Sequence, residues 1–269
     1  MKRAIDNMST SELSVRLQIQ PSYASREIWK SVAQDEKLDF EVLELSAPPA
    51  INDSRRMREY TDWYRAAGLV RSLHGVFIDV NPASGDAEFR ALSRQKYRQS
   101  CELALSLHAE NIIFHSTCET FLRHDYLNFW AGQSAEFFEE LADTYDLNIF
   151  VENSQDVDSG PIRELMRRIK NPRVGVCLDF GHVNYSHEPP EKWFDALGDR
   201  IGYLHLSDNT GTVDDHLPLG TGTVDWKKAD RLWRELKKPV CATLEVGGPE
   251  GVKQSLEYLR MNGLFGTGS

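Results

Sequence analysis

The sequence predicts an α/β fold in one domain, an eight-stranded (β/α)8 barrel, and three observations lead there. Strand-like apolar runs recur about every thirty residues, eight in all, and segments of helical period separate them. The runs are continuous rather than alternating in polarity, as parallel strands buried on both faces require. Histidines and acids gather at the same end of their runs, where a barrel places its site. A doubly wound open sheet is the runner-up, but no Gly-x-Gly-x-x-Gly follows the first run, and the polar residues spread over the ends of runs three to eight.

The runs are Val15–Ile19, Phe40–Leu45, Val70–His74, Asn111–His115, Asn148–Glu152, Val174–Asp179, Ile201–Leu206 and Cys241–Val246. The first is short and broken by Arg16 and Gln18, so its bounds are the loosest. Among the helices, Phe137, Phe138, Leu141 and Tyr145 share a face after Ser134, a residue suited to an N-cap. Ile162, Leu165, Met166 and Ile169 do the same after Pro161, which suits a first turn. Trp193, Phe194 and Leu197 end at Gly198; Leu232, Trp233 and Leu236 follow Asp225; Val252, Leu256 and Leu259 run to Gly263. Residues 1–13 lack periodicity and are expected to form a flexible arm on a barrel spanning 14–265, and the Gly-Thr-Gly-Ser terminus is expected to fray.

A length of 269 residues suits one barrel and one large core. No apolar run approaches the ~20 residues that span a bilayer, and the polar N-terminus does not read as a signal peptide, so a cytoplasmic protein without a membrane partner is expected. Cys101, Cys118, Cys177 and Cys241 form no CxxC pair and read as buried reduced thiols. A formal net charge of −10 disfavours nucleic acid as a partner without excluding it, because bound metal ions would make a site locally positive. A homo-oligomer is compatible with the composition.

Chemistry concentrates in five histidines and four acids: His74, His115, His182, His205 and His216 with Glu152, Asp179, Asp214 and Glu245. A carboxylate ending an apolar strand is expensive to desolvate, so Glu152, Asp179 and Glu245 each need a cation or strong donors. Any one of them alone is as well explained by a salt bridge or a helix cap. Three at matching positions, with His205 at a fourth, point to a shared divalent ion, for which the mixed N/O set admits Zn, Mn, Co or Fe. A lone His74 or His115 is more often a core residue bonded to backbone, but here both end strands beside the acids. His182, three residues after Asp179, can reach the same cluster or a substrate oxygen; Asp214 and His216 can project together from one loop or belong to a solvated turn. Asn153, Asp208 and Asn209 lie beside these positions, fit either to orient ligands or to bind substrate. His108 in a long helical segment, His124 in a polar loop and His187 near a Pro-Pro pair read as surface residues, and Gly220-Thr-Gly222 as a turn or close backbone approach rather than a phosphate loop.

The runs Val-Glu-Asn at strand five, Leu-Asp-Phe-Gly-His at six, Leu-His-Leu-Ser-Asp-Asn at seven, Asp-x-His-Leu-Pro-Leu-Gly-Thr-Gly after it and Leu-Glu-Val at eight carry a resemblance. The chain resembles the xylose isomerase-like TIM-barrel superfamily, which holds sugar isomerases and epimerases and the endonuclease IV type of apurinic-site nuclease. Similarity to the first group implies one divalent ion held by Glu152, Asp179, His205 and Glu245, with His182 touching a small sugar substrate. Isomerisation or epimerisation would then pass through an enediolate, with Glu152 and Glu245 as the proton-moving pair and His74, His115, His182 and His216 free to contact substrate, beside Asn153 and Asp208. Similarity to the nucleases implies up to three zinc ions on an extended set adding His74, His115, His182, Asp214 and His216, and attack on the phosphodiester of abasic DNA. The loop from Asn209 to Gly222 lacks the arginine often found there in the epimerases, and no loop of aromatics and arginines reads as a DNA wedge. A third class is a barrel that binds metal or sugar without turnover. On balance the sequence favours the metal-dependent sugar isomerase or epimerase.

Overall fold

The computed structural model describes residues 15–44, 54–119 and 124–267. Eight parallel strands close into one barrel in sequence order: β1 Arg16–Ile19, β2 Asp39–Leu43, β3 Val70–His74, β4 Asn111–His115, β5 Asn148–Glu152, β6 Val174–Asp179, β7 Ile201–Leu206 and β8 Cys241–Leu244. Strands three to seven have the bounds read from the sequence; β1 loses Val15 and β8 ends before Glu245. The expected arm over residues 1–13, Leu45 and the last two residues lie outside the described residues. No helix among the described residues is long and apolar enough to cross a membrane.

The outer layer comprises, among the described residues, α1 Arg26–Glu36, α2 Ser54–Ala67, α3 Ala87–Ser106, α4 His124–Thr144, α5 Gly160–Arg168, α6 Phe180–Tyr185, α7 Pro190–Leu197, α8 Trp226–Glu235 and α9 Gly248–Asn262. Their ends follow local chemistry. Asp86 and Asp225 accept the amides of Phe89 and Lys228 to open α3 and α8, and Gly263, at φ 63°, closes α9 in the left-handed region. Ser134 is not a cap. The buried face continues N-terminally through Trp130 and Ala131, so α4 starts at His124 and Ser134 lies buried inside it. That places His124 at a helix start rather than in a loop. His108 falls outside α3, in a left-handed turn at φ 61°; it and His187 are exposed as expected. All four cysteines are unpaired.

The strand period of two decides what fills the barrel. Between strands and helices lies one apolar layer that includes Trp130, Trp193, Trp226 and Trp233, all fully buried. Inside the barrel a separate cluster holds Ile113, Cys177 and Tyr203, with Phe150 and Cys241 against it. Two residues further along the same strands stand His115, Glu152, Asp179, His205 and Thr243. Since alternate residues share a face, the inward apolar layer is roofed by an inward polar one at the C-terminal end. Register aligns that roof, with His115 opposite Glu152 and Asp179 opposite His205.

Candidate metal centre

Four strand ends supply the centre. Glu152 ends β5, Asp179 ends β6, His205 lies one residue short of the end of β7, and Glu245 follows β8, its amide bonded to the Leu206 carbonyl. One donor atom from each lies within 4.8 Å of the others. His205 Nδ1 stands 3.2 Å from Glu152 Oε1, 3.1 Å from Glu245 Oε2 and 3.8 Å from Asp179 Oδ2. Despite that crowding, His205 Nδ1 and Asp179 Oδ2 are buried with no hydrogen-bond partner. Two orphaned polar atoms facing each other among carboxylates cost free energy unless a cation bridges them, and the one-nitrogen, three-carboxylate set fits a divalent transition metal. Asp179 is also an N-cap: its Oδ1 accepts the His182 amide at 2.7 Å at the start of α6, and this leaves Oδ2 turned to the centre.

The other expected residues join this centre on two flanks. On one, His74 Nε2 lies 3.2 Å and His115 Nε2 3.7 Å from Glu152 Oε2, the oxygen turned away from His205. His74 is buried and its Nδ1 bonds the Gly75 carbonyl; His115 is partly exposed, and the Phe77 ring lies 4.6 Å from it. On the other flank, His182 Nε2 and His216 Nε2 both approach Asp214 Oδ2, at 3.3 and 2.9 Å. The loop after β7 achieves this with His216 left-handed at φ 48° and its Nδ1 on the Glu245 carbonyl. All nine residues therefore form one continuous set. A cavity of about 480 Å³ opens beside it, lined by Phe77, Asp79, Asn81, His115, Tyr126 and Gln155 among others.

Asn153 and Asp208 have their side chains engaged elsewhere. Asn153 donates to the Asp179 carbonyl and accepts the Asp179 amide, at 3.1 and 2.7 Å, which pins β6 against β5 beneath the Asp179 carboxylate. Asp208 is fully buried and accepts from the amides of Asn209, Gly220 and Val224 and from Trp226 Nε1. These bonds engage both side chains with the backbone and side chains of neighbouring elements. Gly222 packs directly on Asp208 and Asn209, so the Gly-Thr-Gly run is a close backbone approach.

Charge is tightly balanced. Burial raises the carboxyls of Glu152 and Glu245, but the surrounding histidines, His205 foremost, together outweigh it, holding Glu152 well below the usual range and Glu245 down to about 2. Asp179 is pushed up to about 6 by burial, with the charges of Glu152 and Glu245 adding to it against the pull of His182 and His205. Burial lowers His205, yet the acids around it raise it well above its ordinary value, whereas burial wins at His115 and brings it to about 4. On the loop flank the acids prevail over burial: His182 rises to about 10 beside Asp179 and Asp214, and His216 to about 9 beside Asp214.

Glu41 was not legible as a site residue. This β2 carboxylate is fully buried inside the barrel with its Oε2 3.1 Å from His205 Nε2, and Gln20 Nε2 donates to both Glu41 and Glu245, at 2.8 and 2.9 Å. Glu41 sits mid-strand, where a charge ordinarily marks an outward position; a register shift between Phe40 and Glu41 accompanies its inward turn.

Comparison with known proteins agrees with this architecture. An uncharacterized protein of Methanocaldococcus jannaschii is 26% identical over 215 residues, covering 76% of this chain and 72% of the relative. A probable endonuclease 4 of Mycobacterium ulcerans is 25% identical over 221 residues, covering 76% of this chain and 83% of the relative. Two solved structures at 21% identity share the fold: a D-tagatose 3-epimerase-like protein (TM-score 0.74, covering 92% of this chain and 96% of that one) and a Thermus thermophilus protein soaked with ZnCl2 (TM-score 0.76, 95% and 100%). A family model described as xylose isomerase-like TIM barrel matches residues 33–261, and the chain belongs to that family.

Proposed function

We propose that this protein is a metal-dependent isomerase or epimerase of a small sugar or sugar-like polyhydroxy substrate. One observation carries the reading: the carboxylates of Glu152 and Glu245 both flank the orphaned His205 Nδ1 and Asp179 Oδ2. Glu152, Asp179, His205 and Glu245 would hold the ion, with zinc, manganese, cobalt and iron all admitted by the donor set. When bound, it supplies charge that polarises adjacent carbonyl and hydroxyl oxygens and acidifies the carbon between them. Glu152 and Glu245 are the proton-moving pair, since each has a carboxylate oxygen facing the centre and burial keeps bulk water from competing. His115, at the wall of the cavity, and His182, over Asp179, contact substrate; His74 orients Glu152, and Asn153 and Asp208 hold β6 and the loop after β7. The cavity volume of about 480 Å³ lies in the range for small-molecule sites. A D-tagatose 3-epimerase-like protein and a D-allulose 3-epimerase share this barrel, a fold compatible with the proposed reaction class.

A second reading is an endonuclease IV-like phosphodiesterase acting on abasic DNA with up to three zinc ions. The grouping of His182, Asp214 and His216 favours it, as does the relationship to probable endonuclease 4. The net charge of −10 weighs for the small neutral substrate. Incubation of the metal-loaded protein in deuterated water with a panel of ketoses, and with an abasic-site duplex, separates the two. Deuterium entering a sugar carbon, with Glu245→Gln abolishing it, is the expected result. Strand cleavage lost in His216→Ala, with no exchange into any sugar, rejects it. Zinc titration of the chelated protein adds a check: Glu152→Gln and Glu245→Gln should each bind at least 10-fold more weakly, and parental affinity in both would remove the central site.

A further inference from the structure

We propose that Glu41 is the positioning residue of the centre: its buried carboxylate takes the Nε2 proton of His205 in a hydrogen bond and thereby presents the bare Nδ1 to the ion. The inference rests on the metal reading above and names a residue outside the four ligands.

The argument begins with the donors around Glu41. Tyr203 Oη and Thr243 Oγ1 both donate to Glu41 Oε2, each at 2.7 Å, and Gln20 Nε2 donates to Oε1 at 2.8 Å. Tyr203 Oη also accepts from Gln18 Nε2 at 2.7 Å and shares a hydrogen bond with Thr243 Oγ1 at 2.8 Å, so the two hydroxyls and Glu41 are mutual partners. A carboxyl on which three donors converge is the acceptor of its network. The fourth neighbour, His205 Nε2 at 3.1 Å, must then be the one carrying hydrogen. Without the ion the surrounding acids favour a second proton on the ring, whereas an ion on Nδ1 would take the place of that proton and leave a neutral imidazole whose single N–H is the Nε2–H held by Glu41. Nδ1 is the atom 3.1–3.2 Å from Glu245 and Glu152 oxygens with no hydrogen-bond partner. The opposite tautomer would bury an Nε2 lone pair against an anion.

Position reinforces the assignment. Glu41, Tyr203, His205 and Thr243 are all fully buried and lie on β2, β7 and β8, so the ring cannot rotate to offer Nε2 without breaking a network that spans the barrel. Gln20 then links this network to Glu245 with the second hydrogen of the same amide nitrogen. One buried anion thus governs the orientation of one ligand directly and of another through a single side chain. A carboxylate accepting from the far nitrogen of a metal-bound imidazole also makes the ring a stronger donor, and loss of such a partner costs about 10–100-fold in metal affinity.

The test uses full-length protein stripped of metal and reloaded with zinc. Zinc dissociation constants are measured by chelator competition for the parent, Glu41→Gln and Thr243→Val, with circular dichroism confirming that each is folded. In parallel, nitrogen–proton correlation spectra of 15N-histidine-labelled, zinc-loaded parent report which nitrogen of His205 binds. We expect Nδ1 bound, a slowly exchanging Nε2 proton, an affinity about 10–100-fold weaker in Glu41→Gln, and a change under threefold in Thr243→Val, which removes one of several donors to Glu41. Parent that binds zinc while a folded Glu41→Gln binds within twofold of it overturns the role of Glu41 and leaves the metal reading standing. Parent that binds no zinc overturns the metal reading, and this inference with it. Should Glu41→Gln fail to fold, the parent spectrum decides: zinc on Nε2 refutes the proposal, and zinc on Nδ1 with a protected Nε2 proton upholds it.

Discussion

Replacing Asp208 by alanine should loosen the loop after β7 while leaving the central four ligands in place. Asp208 Oδ2 accepts from Gly220 N and Trp226 Nε1, both at 2.9 Å, and Oδ1 accepts from Asn209 N at 3.0 Å and Val224 N at 3.1 Å, so one buried carboxylate holds donors up to 18 positions downstream. Alanine strands four donors, three of them backbone amides, in a site where Asp208 itself is fully buried. Each stranded donor costs about 1–3 kcal/mol, and water entering the space left by the carboxylate recovers part of that, so a loss of about 3–6 kcal/mol is expected. At roughly 2 °C per kcal/mol for a chain of this size, the melting temperature should fall by about 6–12 °C. The loss should be local before it is global: the amides of Gly220 and Val224 should lose hydrogen-exchange protection ahead of those in β5 and β6. Because Asp214 and His216 ride on this loop whereas Glu152, Asp179 and His205 are on strands, the contacts of Asp214 with His182 and His216 should be lost before the central grouping. Urea titration and amide exchange followed by mass spectrometry measure both effects. A variant within 1 kcal/mol of the parent, with Gly220 and Val224 still protected, would show that the carboxylate does not hold the loop, and the reasoning would fall.

Two further outcomes follow from buried groups away from the ligands. Asp156 accepts from Ser116 Oγ and the Ser154 amide, but its Oδ1 is buried without a partner, and burial pushes its carboxyl up to about 6. A carboxyl raised on folding is no burden below its unfolded value near 4, and its ionisation costs the fold progressively from there up to about pH 6, reaching at most about 3 kcal/mol above that. Asp156→Asn should therefore be more stable than the parent at pH 8, with the gap closing as pH falls to 4.5; a gap independent of pH in urea titrations would contradict this. Gly202→Ala should destabilise by about 1–3 kcal/mol, because the new methyl would lie 2.6 Å from Phe150 Cε1 inside the barrel, where Gly175 also crowds that ring; an unchanged unfolding midpoint would refute it.

The barrel and most of its site were legible in the chain because both are written in local pattern. A continuous apolar run ending in Glu152 or Asp179 is informative by itself: the strand needs burial, the carboxylate resists it, and only the end of a strand over a polar site reconciles the two. The same reasoning found His74, His115 and His205, and the loop residues Asp214 and His216 were found by resemblance and spacing. Helix starts were less legible. Ser134 has the chemistry of a cap, but the apolar face of Trp130 and Ala131 continued the helix past it, since packing against the barrel outweighs the preference of one hydroxyl.

Tertiary structure alone decided which polar residues act together inside the barrel. Gln18, Glu41 and Tyr203 look like ordinary mid-strand residues, and nothing on one strand says whether a given parity faces lumen or helices. That choice is made when eight strands close, and at β2 a register shift accompanies the inward turn of Glu41. Asp208 and Asn153 needed the fold for the same reason: their places beside the ligand positions were visible in sequence, but their partners, Trp226 on a later helix and the Asp179 backbone on the next strand, are near only in space. Sequence determined the residue types that can hold a metal and the strand ends that present them. Barrel closure determined the pairing of His205 with Glu41, because a hydrogen bond between residues 164 positions apart depends on distance in space and leaves no periodic trace along the chain.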